Sequence, residues 1–272
     1  MKMSVWSSFF LDLSPEDMVK AFVSKGWQYS ELSTEHAEQL LSRGRPAVTG
    51  AAFLRYADEA GLAFPQGHLW LTCDIAGHDR ENVVENLKPW LDLFLAAKID
   101  LAVLHPGSYV RYAAGDDPDE IEAACVESLI KLADYLKGTS LVICLENLFS
   151  HARSSADLQR IIRAAGGKHL AICLDTGHLN LAGLDQTEFI KQSGSLLKAL
   201  HITDNEGERD QHMIPYGIGN IKWDQVVRSL KAIGYNGLFN YEIPGDNRAP
   251  LAVRLAKLDY LRNLSEYFDA LT

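Results

Sequence analysis

Short apolar runs and amphipathic segments alternate about eight times along the 272 residues, which gives units of about 34 residues. The apolar runs are mostly continuous, as is typical of parallel strands covered by helices. Eight such units predict an α/β protein with a (β/α)₈, or TIM, barrel, in a single domain over residues 1–272. A doubly wound open sheet is the alternative, but Gly217-Ile218-Gly219 does not follow a strand as a dinucleotide-binding fingerprint requires.

The strands are predicted from short apolar runs, several of which end in a charged residue or a histidine. The second run, which starts at Trp27, alternates in polarity and ends near Glu31. The predicted strands lie at 5–11, 27–32, within 62–71, and at 100–104, 141–145, 169–174, 196–202 and 238–241.

The helices are predicted from their start and stop signals and from apolar spacing. Ser14 is suited to cap a helix in which Pro15 takes the first position and two acidic residues follow in the first turn. Gly26 and Gly234 are typical stop signals. The predicted helices lie at 15–25, 34–41, 50–60, 81–97, 119–136, 156–165, 187–193, 223–233 and 251–271.

The composition excludes several classes of protein. Asp and Glu outnumber Lys and Arg by 36 to 26, so the net charge of −10 makes nucleic acid an unlikely partner. No apolar run is long enough to span a membrane, and the first residues lack the pattern of a signal peptide, so we expect a soluble cytoplasmic protein. The four cysteines form no CxxC pair, which favours buried thiols over disulfides or zinc ligands.

Six predicted strands end in a residue of a type that binds metals: His68, His105, Glu146, Asp175, His201 and Glu242. In a parallel barrel the carboxyl ends of the strands meet at one mouth. Several carboxylates that converge there repel one another unless a cation lies among them. We therefore expect a divalent metal held by Glu146, Asp175, His201 and Glu242, whose mixed N and O ligands favour Zn²⁺, Mn²⁺ or Co²⁺ over Ca²⁺.

Each of these residues also has a structural explanation when taken alone. His68 is compatible with an ordinary strand end, and His105 with a cap of the turn at Pro106-Gly107. Asp175 is suited to cap the next helix. Glu146 and Glu242 are each compatible with a structural role. The metal hypothesis depends on their convergence rather than on any one of them.

A second set of candidates lies farther out. His178 is one helical turn beyond Asp175, and Asp210 and His212, two residues apart, point to one side in an extended segment. These three residues could bind a second or third ion, or they could contact substrate hydroxyls and orient the inner ligands. A solvated loop with a chance histidine is the structural alternative.

Five motifs, LHPGS (104–108), CLEN (144–147), CLDTGH (173–178), HITDN with GIGNI (201–221) and YE (241–242), carry a family resemblance. Over almost its whole length the chain resembles the xylose-isomerase-like TIM-barrel superfamily, which holds sugar-phosphate isomerases and epimerases together with endonuclease IV. The resemblance implies a metal held by Glu146, Asp175, His201 and Glu242. In the epimerase branch the glutamates that match Glu146 and Glu242 also move protons on a carbon beside a carbonyl, and the histidine that matches His178 touches the sugar.

The endonuclease IV branch uses nine ligands for three zinc ions, and each has a counterpart in this sequence. They are His68, His105, Glu146, Asp175, His178, His201, Asp210, His212 and Glu242. The first two βα units, which include Trp6, Trp27 and Glu31, instead resemble the small-molecule branch. The chain also departs from the ketose epimerases, because Phe149-Ser150-His151 follows where they carry a second substrate-binding acid.

The sequence therefore predicts a metal-dependent sugar or sugar-phosphate isomerase or epimerase with one to three ions per chain. Glu146 and Glu242 are its predicted acid/base pair, and His178, Arg209, His105 and Trp6 are its predicted substrate contacts. An exposed ion pair with a neighbouring glutamate is the alternative for Arg209. The alternative functions are a multinuclear zinc phosphoesterase of endonuclease IV type and a non-catalytic carbohydrate-binding barrel. The resemblance also makes a homo-oligomer an expectation.

Overall fold

The computed structural model describes residues 1–271, and its eight strands form one parallel sheet in the order β7-β6-β5-β4-β3-β2-β1-β8. The strands are β1 Lys2–Trp6, β2 Tyr29–Leu32, β3 Ala63–His68, β4 Leu101–Leu104, β5 Val142–Glu146, β6 Leu170–Asp175, β7 Leu197–His201 and β8 Leu238–Tyr241. A parallel bridge between Ile202 and Tyr241 joins β7 to β8, so that the sheet nearly closes on itself. The predicted TIM barrel is confirmed.

Helices cover the outside of the barrel. They are α1 Pro15–Ser24, α2 Thr34–Leu41, α3 Pro46–Ala60, α4 Arg80–Ala96, α5 Tyr109–Ala114, α6 Pro118–Tyr135, α7 Ser155–Ala164, α8 Thr176–Leu181, α9 Gln186–Ser193, α10 Trp223–Ala232 and α11 Leu251–Ala270. The predicted start of α1 is present, since the Ser14 hydroxyl accepts a hydrogen bond from the Asp17 backbone. Within residues 1–271 no helix combines the length and apolar character needed to cross a bilayer.

The predicted first strand is wrong beyond Trp6. Ser7–Phe10 forms a short 3₁₀ helix instead of extending β1. Phe9 and Phe10 pack edge to face at 5.0 Å, and Phe10 contacts the Phe22 ring of α1 at 5.1 Å. The run is apolar because it fills the space between the barrel and α1, so its apolar character does not indicate a strand.

The positions of the helices are predicted better than their limits. α3 begins earlier than predicted, at Pro46, because proline is well suited to the first turn of a helix. The short helices α5 and α8 lie outside the predicted helix ranges, although Asp175 is suited to cap a helix at the position of α8. Both follow directly on motifs that end a strand and have too few residues for apolar spacing to reveal them.

Small side chains fill the barrel interior below its mouth. Val103, Cys144, Ala171, Cys173 and Ala199 form a buried cluster that is separate from the larger core between strands and helices. All four cysteines are buried and unpaired, as predicted. The interior is therefore a packed core, and polar side chains reach the axis above it.

Candidate metal centre at the barrel mouth

The strand pleat explains why the predicted ligands meet. Cys144, Cys173 and Ala199 point into the barrel, and each lies two residues before a ligand on the same strand. Because alternate residues of a strand share a face, the residues that follow them also point inward, at the carboxyl ends of the strands. The six strand-end residues His68, His105, Glu146, Asp175, His201 and Glu242 are called the ligand ring below.

Glu146 lies at the centre of this ring. Its Oε2 atom is 3.1 Å from His201 Nδ1, 3.4 Å from His105 Nε2 and 3.5 Å from His68 Nε2. Its Oε1 atom is 3.0 Å from His178 Nδ1. The two oxygens of one buried carboxylate thus face two different groups of histidines.

Glu242 and Asp175 complete the ring. Glu242 Oε2 lies 3.2 Å from His201 Nδ1, the same nitrogen that Glu146 approaches. Asp175 Oδ1 accepts a 2.6 Å hydrogen bond from the His178 backbone N–H and so caps α8. The structural alternative for Asp175, a helix cap, is therefore confirmed, but it uses only one of the two carboxylate oxygens.

Five buried atoms of the ring have no hydrogen-bond partner among residues 1–271: His68 Nε2, Glu146 Oε2, Asp175 Oδ2, His201 Nδ1 and Glu242 Oε2. Buried polar atoms are normally paired, and each unpaired one costs about 1–3 kcal/mol. Nitrogen and oxygen atoms that remain unpaired around one point are what a divalent cation requires. The donor set therefore fits a metal ion.

Three overlapping groups of residues at the mouth have ligand atoms close enough to hold a metal ion. Three groups of residues each bring three ligand atoms within 4.8 Å of one another: His68, Glu146 and His201; Glu146, Asp175 and His178; Asp175, His201 and Glu242. Glu146, Asp175 and His201 each belong to two of these groups, so the three groups overlap.

The loop after β7 adds the outer residues. Asp210 Oδ2 lies 3.5 Å from His178 Nε2 and 3.2 Å from His212 Nε2. His212 Nδ1 donates a 2.9 Å hydrogen bond to the Glu242 carbonyl, which leaves Nε2 directed at Asp210. Burial lowers the pKa of His212, but the hydrogen bond with Asp210 and the nearby carboxylates outweigh burial and raise the pKa to about 10. The structure thus brings Asp210 and His212 to the ring.

Asp204 anchors this loop at its base. Its carboxylate accepts a 2.7 Å hydrogen bond from Trp223 Nε1 and further bonds from the backbones of Asn205 and Ile221. A Cβ atom on Gly219 would lie 2.1 Å from Asp204 Oδ1. Gly219 is therefore required because the carboxylate approaches the backbone closely.

The two glutamates differ in acidity when no metal is bound. Burial opposes ionisation of Glu146, but the neighbouring His201 and His105 hold its pKa well below the usual range. At Glu242, by contrast, burial outweighs the opposing effect of His201 and His212 and raises the pKa to about 8. Two carboxyl groups with separated pKa values are a common arrangement in sites that both remove and return protons.

Only some of the predicted substrate contacts lie at the cluster of histidines and carboxylates. His105 and His178 lie in the cluster, and the Trp6 ring stacks on His212 at 6.3 Å while its Nε1 donates to the Ile243 carbonyl. Arg209 lies on the exposed part of the loop. Phe9, which lies three residues after Trp6, is fully buried in the core and does not reach the mouth.

Two aromatic residues at the mouth are not predicted from the sequence. Tyr109 and Phe149 are each 41% exposed, and their rings lie 6.3 Å apart. Tyr109 lies 6.4 Å from the His105 ring, and Phe149 lies 5.4 Å from the His178 ring. Their only signal in the sequence is that each follows a strand-end motif within a few residues. Glu31 ends the alternating second run. Its contact with His201 is likewise not predicted from the sequence.

Fold and site together define a TIM-barrel protein whose mouth carries a buried cluster of histidines and carboxylates able to hold divalent ions. The model of the family described as xylose isomerase-like TIM barrel matches residues 19–264. The chain belongs to this family.

Two relatives illustrate the range of the family. A D-psicose 3-epimerase from Enterocloster bolteae is 24% identical over 192 residues, which cover 67% of this chain and 62% of that protein. A probable endonuclease 4 from Aster yellows witches'-broom phytoplasma is 27% identical over 184 residues, which cover 60% of this chain and 62% of that protein. The chain spans 60% to 65% of the length of these and of two uncharacterised relatives.

Solved structures match over nearly the full chain. A crystal structure of D-psicose 3-epimerase in the presence of D-fructose has a TM-score of 0.81 at 18% identity, covering 98% of this chain and 99% of that one. A 3-keto-D-glucoside 4-epimerase from E. coli has a TM-score of 0.78 at 21% identity, covering 97% and 99%. At these identities the likeness establishes the fold.

Proposed function

We propose that the protein is a divalent-metal-dependent isomerase or epimerase of a sugar or sugar phosphate. The observation that carries the proposal is the pair of buried glutamates, Glu146 and Glu242, whose carboxylates approach the same nitrogen of His201. A site that only binds a sugar has no need of two such carboxylates. The relatives named as epimerases support the same class of reaction.

In this proposal Glu146, Asp175, His201 and Glu242 hold the metal, which is Zn²⁺ or Mn²⁺, with Co²⁺ as a further candidate. When bound, the metal polarises the carbonyl of the substrate and acidifies the neighbouring C–H bond. One glutamate removes the proton from that carbon, and the other, in its protonated form, returns a proton.

Other residues of the mouth position the sugar. His178 offers Nε2 at the edge of the cluster for a hydroxyl group. Tyr109 and Phe149 present partly exposed rings on one side, and Trp6 lies beside His212. Aromatic faces of this kind pack against the C–H faces of sugars and keep water from the reacting carbon.

The test is hydrogen exchange at the carbon beside the carbonyl. The metal-loaded protein is incubated in D₂O with a panel of ketoses and their phosphates, and deuterium uptake and epimer formation are followed by NMR. Glu146→Gln and Glu242→Gln should each slow exchange by about 10²–10⁴-fold. Glu59→Gln, which changes an exposed glutamate of α3, is the matched control. Exchange that survives both active-site variants would contradict the proposal, as would its absence from the wild-type protein with every sugar.

A zinc-dependent phosphoesterase of endonuclease IV type is the second candidate. Its supporting observation is the contact of Glu146 with histidines on both sides, together with the outer group formed by His178, Asp210 and His212. Cleavage of abasic-site DNA that requires two or three Zn²⁺ per chain and is lost in Asp210→Asn would favour it. Sugar binding without exchange or cleavage would identify a carbohydrate-binding barrel.

A further inference from the structure

A chain of buried hydrogen bonds lies beneath the ligand ring. The Ser4 hydroxyl donates to Asn240 Oδ1 at 2.9 Å, and the Asn240 amide nitrogen donates to Glu31 Oε2. Glu31 Oε1 lies 3.1 Å from His201 Nε2. All four side chains are at most 1% exposed. The chain thus links β1, β8 and β2 to the metal-ligand candidate on β7.

Glu31 has no basic side chain to balance it. Its only ion-pair partner in the described part of the protein is His201, and no Lys or Arg reaches it. A buried carboxylate is costly unless it is paired and hydrogen-bonded. The contact with His201 and the amide of Asn240 supply that pairing, so the orientations of Glu31 and His201 depend on each other.

The contact also determines which nitrogen of His201 carries a proton. Glu31 Oε2 accepts from Asn240, and Oε1 faces Nε2, so Nε2 acts as the donor. In a neutral imidazole, the form that binds a metal, a proton on Nε2 leaves the lone pair on Nδ1. Nδ1 is the atom that faces Glu146 and Glu242 and lacks a hydrogen bond.

We propose that Glu31 is a positioning residue that holds His201 with its proton on Nε2 and its Nδ1 lone pair turned to the metal. This inference rests on the metal centre of the proposed function and adds a residue that does not itself bind the ion. Asn240 acts one step farther away, because it holds the second oxygen of Glu31. Partners of this kind fix the orientation and raise the basicity of a histidine ligand.

The test measures metal binding directly. Glu31→Gln keeps an acceptor for Nε2 but removes the charge, whereas Glu31→Ala removes both. Co²⁺ affinity is measured by competition with a chelator, and the visible spectrum of the Co²⁺-loaded protein reports ligand geometry. We expect about a tenfold loss of affinity in Glu31→Gln, a loss approaching 100-fold in Glu31→Ala, and an altered Co²⁺ spectrum in both.

Ser30→Ala is the matched control. Ser30 precedes Glu31 on β2, is equally buried and loses a 2.7 Å hydrogen bond to the Val5 carbonyl, but its side chain does not contact His201. We expect its Co²⁺ affinity and spectrum to equal those of the wild type. A spectral change in Ser30→Ala equal to that in Glu31→Gln would overturn the proposal, since any disturbance of β2 would then suffice.

A second measurement determines which nitrogen of His201 carries the proton and which binds the metal. In the Zn²⁺-loaded protein with ¹⁵N-labelled histidine, His201 should show a protonated Nε2 and a metal-bound Nδ1. The opposite assignment overturns the proposal. An unchanged Co²⁺ affinity and spectrum in a folded Glu31→Ala also overturns the proposal. If Glu31→Ala does not fold, the same result in Glu31→Gln overturns it. Failure of the wild type to bind Co²⁺ or Zn²⁺ would instead overturn the metal centre together with this role.

Discussion

Phe149 lies beside His178 at the point where the sequence departs from the ketose epimerases. Its exposed ring faces the mouth and lies 6.3 Å from the ring of Tyr109, so this side of the site offers an apolar surface. A substrate held there gains packing against a ring instead of a hydrogen bond to an acid. The residue thus bears on which sugars the site accepts.

We expect Phe149→Ala to raise KM for the accepted sugar by about 3- to 10-fold with little change in kcat, because ring packing contributes about 0.5–1.5 kcal/mol. Steady-state kinetics on the sugar found by deuterium exchange provides the measurement. Tyr260→Ala, which removes a 49% exposed ring of α11, is the control. An unchanged KM in Phe149→Ala would show that substrate does not touch this side of the mouth.

His36 gives a pH dependence that is separate from the metal site. It is fully buried, and its Nδ1 lies 2.9 Å from the Ser7 hydroxyl. Burial lowers its pKa, and the hydrogen bond to the Leu13 carbonyl only partly opposes this. The unfolded chain therefore binds more protons than the folded chain below the ordinary histidine pKa of about 6.5.

The stability that neutral His36 contributes is complete above that ordinary pKa and is lost as the pH falls toward its lower folded value. We expect the free energy of unfolding to fall less steeply from pH 7.5 to 5.5 in His36→Gln than in the wild type. Urea denaturation at a series of pH values measures both slopes. Equal slopes would mean that His36 titrates alike in the folded and unfolded chains.

The residues predicted from the sequence and those missed differ in a physical way. The ligand ring is predictable because each member ends a strand, and the pleat and the parallel sheet then determine its direction. Tyr109 is the first residue of the short helix α5 and Phe149 lies on a loop, and no periodicity in the sequence describes the path of either segment. The sequence predicts Glu31 as a strand end, but its contact with His201 depends on pairing across the barrel interior.

At the scale of elements, the junction of β6 and α8 places a helix cap and a proposed metal ligand in one residue. Asp175 caps the helix with Oδ1 and leaves Oδ2 unpaired toward the ligand ring. Asparagine retains an oxygen for the cap but is neutral and a poorer ligand, whereas alanine retains neither. The two substitutions therefore separate the structural role from the metal-binding role.

We expect Asp175→Asn and Asp175→Ala both to lose most of their metal affinity. In chelator-treated protein, Asp175→Ala should be less stable than Asp175→Asn by about 1 kcal/mol, the usual contribution of a helix cap. Chemical denaturation and chelator competition measure the two quantities. Equal stabilities would indicate that the cap contributes nothing, and undiminished affinity in Asp175→Asn would remove Asp175 from the ligand set.

Local sequence signals predict some elements of the fold correctly and misassign others. Helices with a proline or serine start and a glycine stop are found from local signals, as for α1. The 3₁₀ segment Ser7–Phe10 has the apolar character of a strand because it packs between two layers. Local sequence cannot distinguish these two reasons for being apolar, since the distinction depends on what lies opposite.

At the scale of the whole molecule, the metal-free barrel keeps several carboxylates and unpaired atoms at one end. An ion that binds only the folded chain at about 100 times its Kd adds about 2.7 kcal/mol of stability. For a chain of this size we expect Tm to rise by about 5 to 10 °C on loading with Zn²⁺ or Mn²⁺ and to fall again on chelation. Scanning calorimetry measures both changes. In the control variant Asp175→Asn, the Tm should change little on metal loading. A wild-type Tm that changes neither with metal nor with chelator would contradict the proposed metal centre.

The anchoring of the loop after β7 by Asp204 has a consequence for how such barrels diversify. The inner ligands belong to strands, whereas Asp210 and His212 belong to a segment whose base is closed by the contact of Asp204 with Trp223 and Gly219. Exchange of the segment beyond that closure leaves the strand-borne ligands in place. A transplant of this one loop therefore tests the outer candidates for metal binding separately from the candidates on the strands.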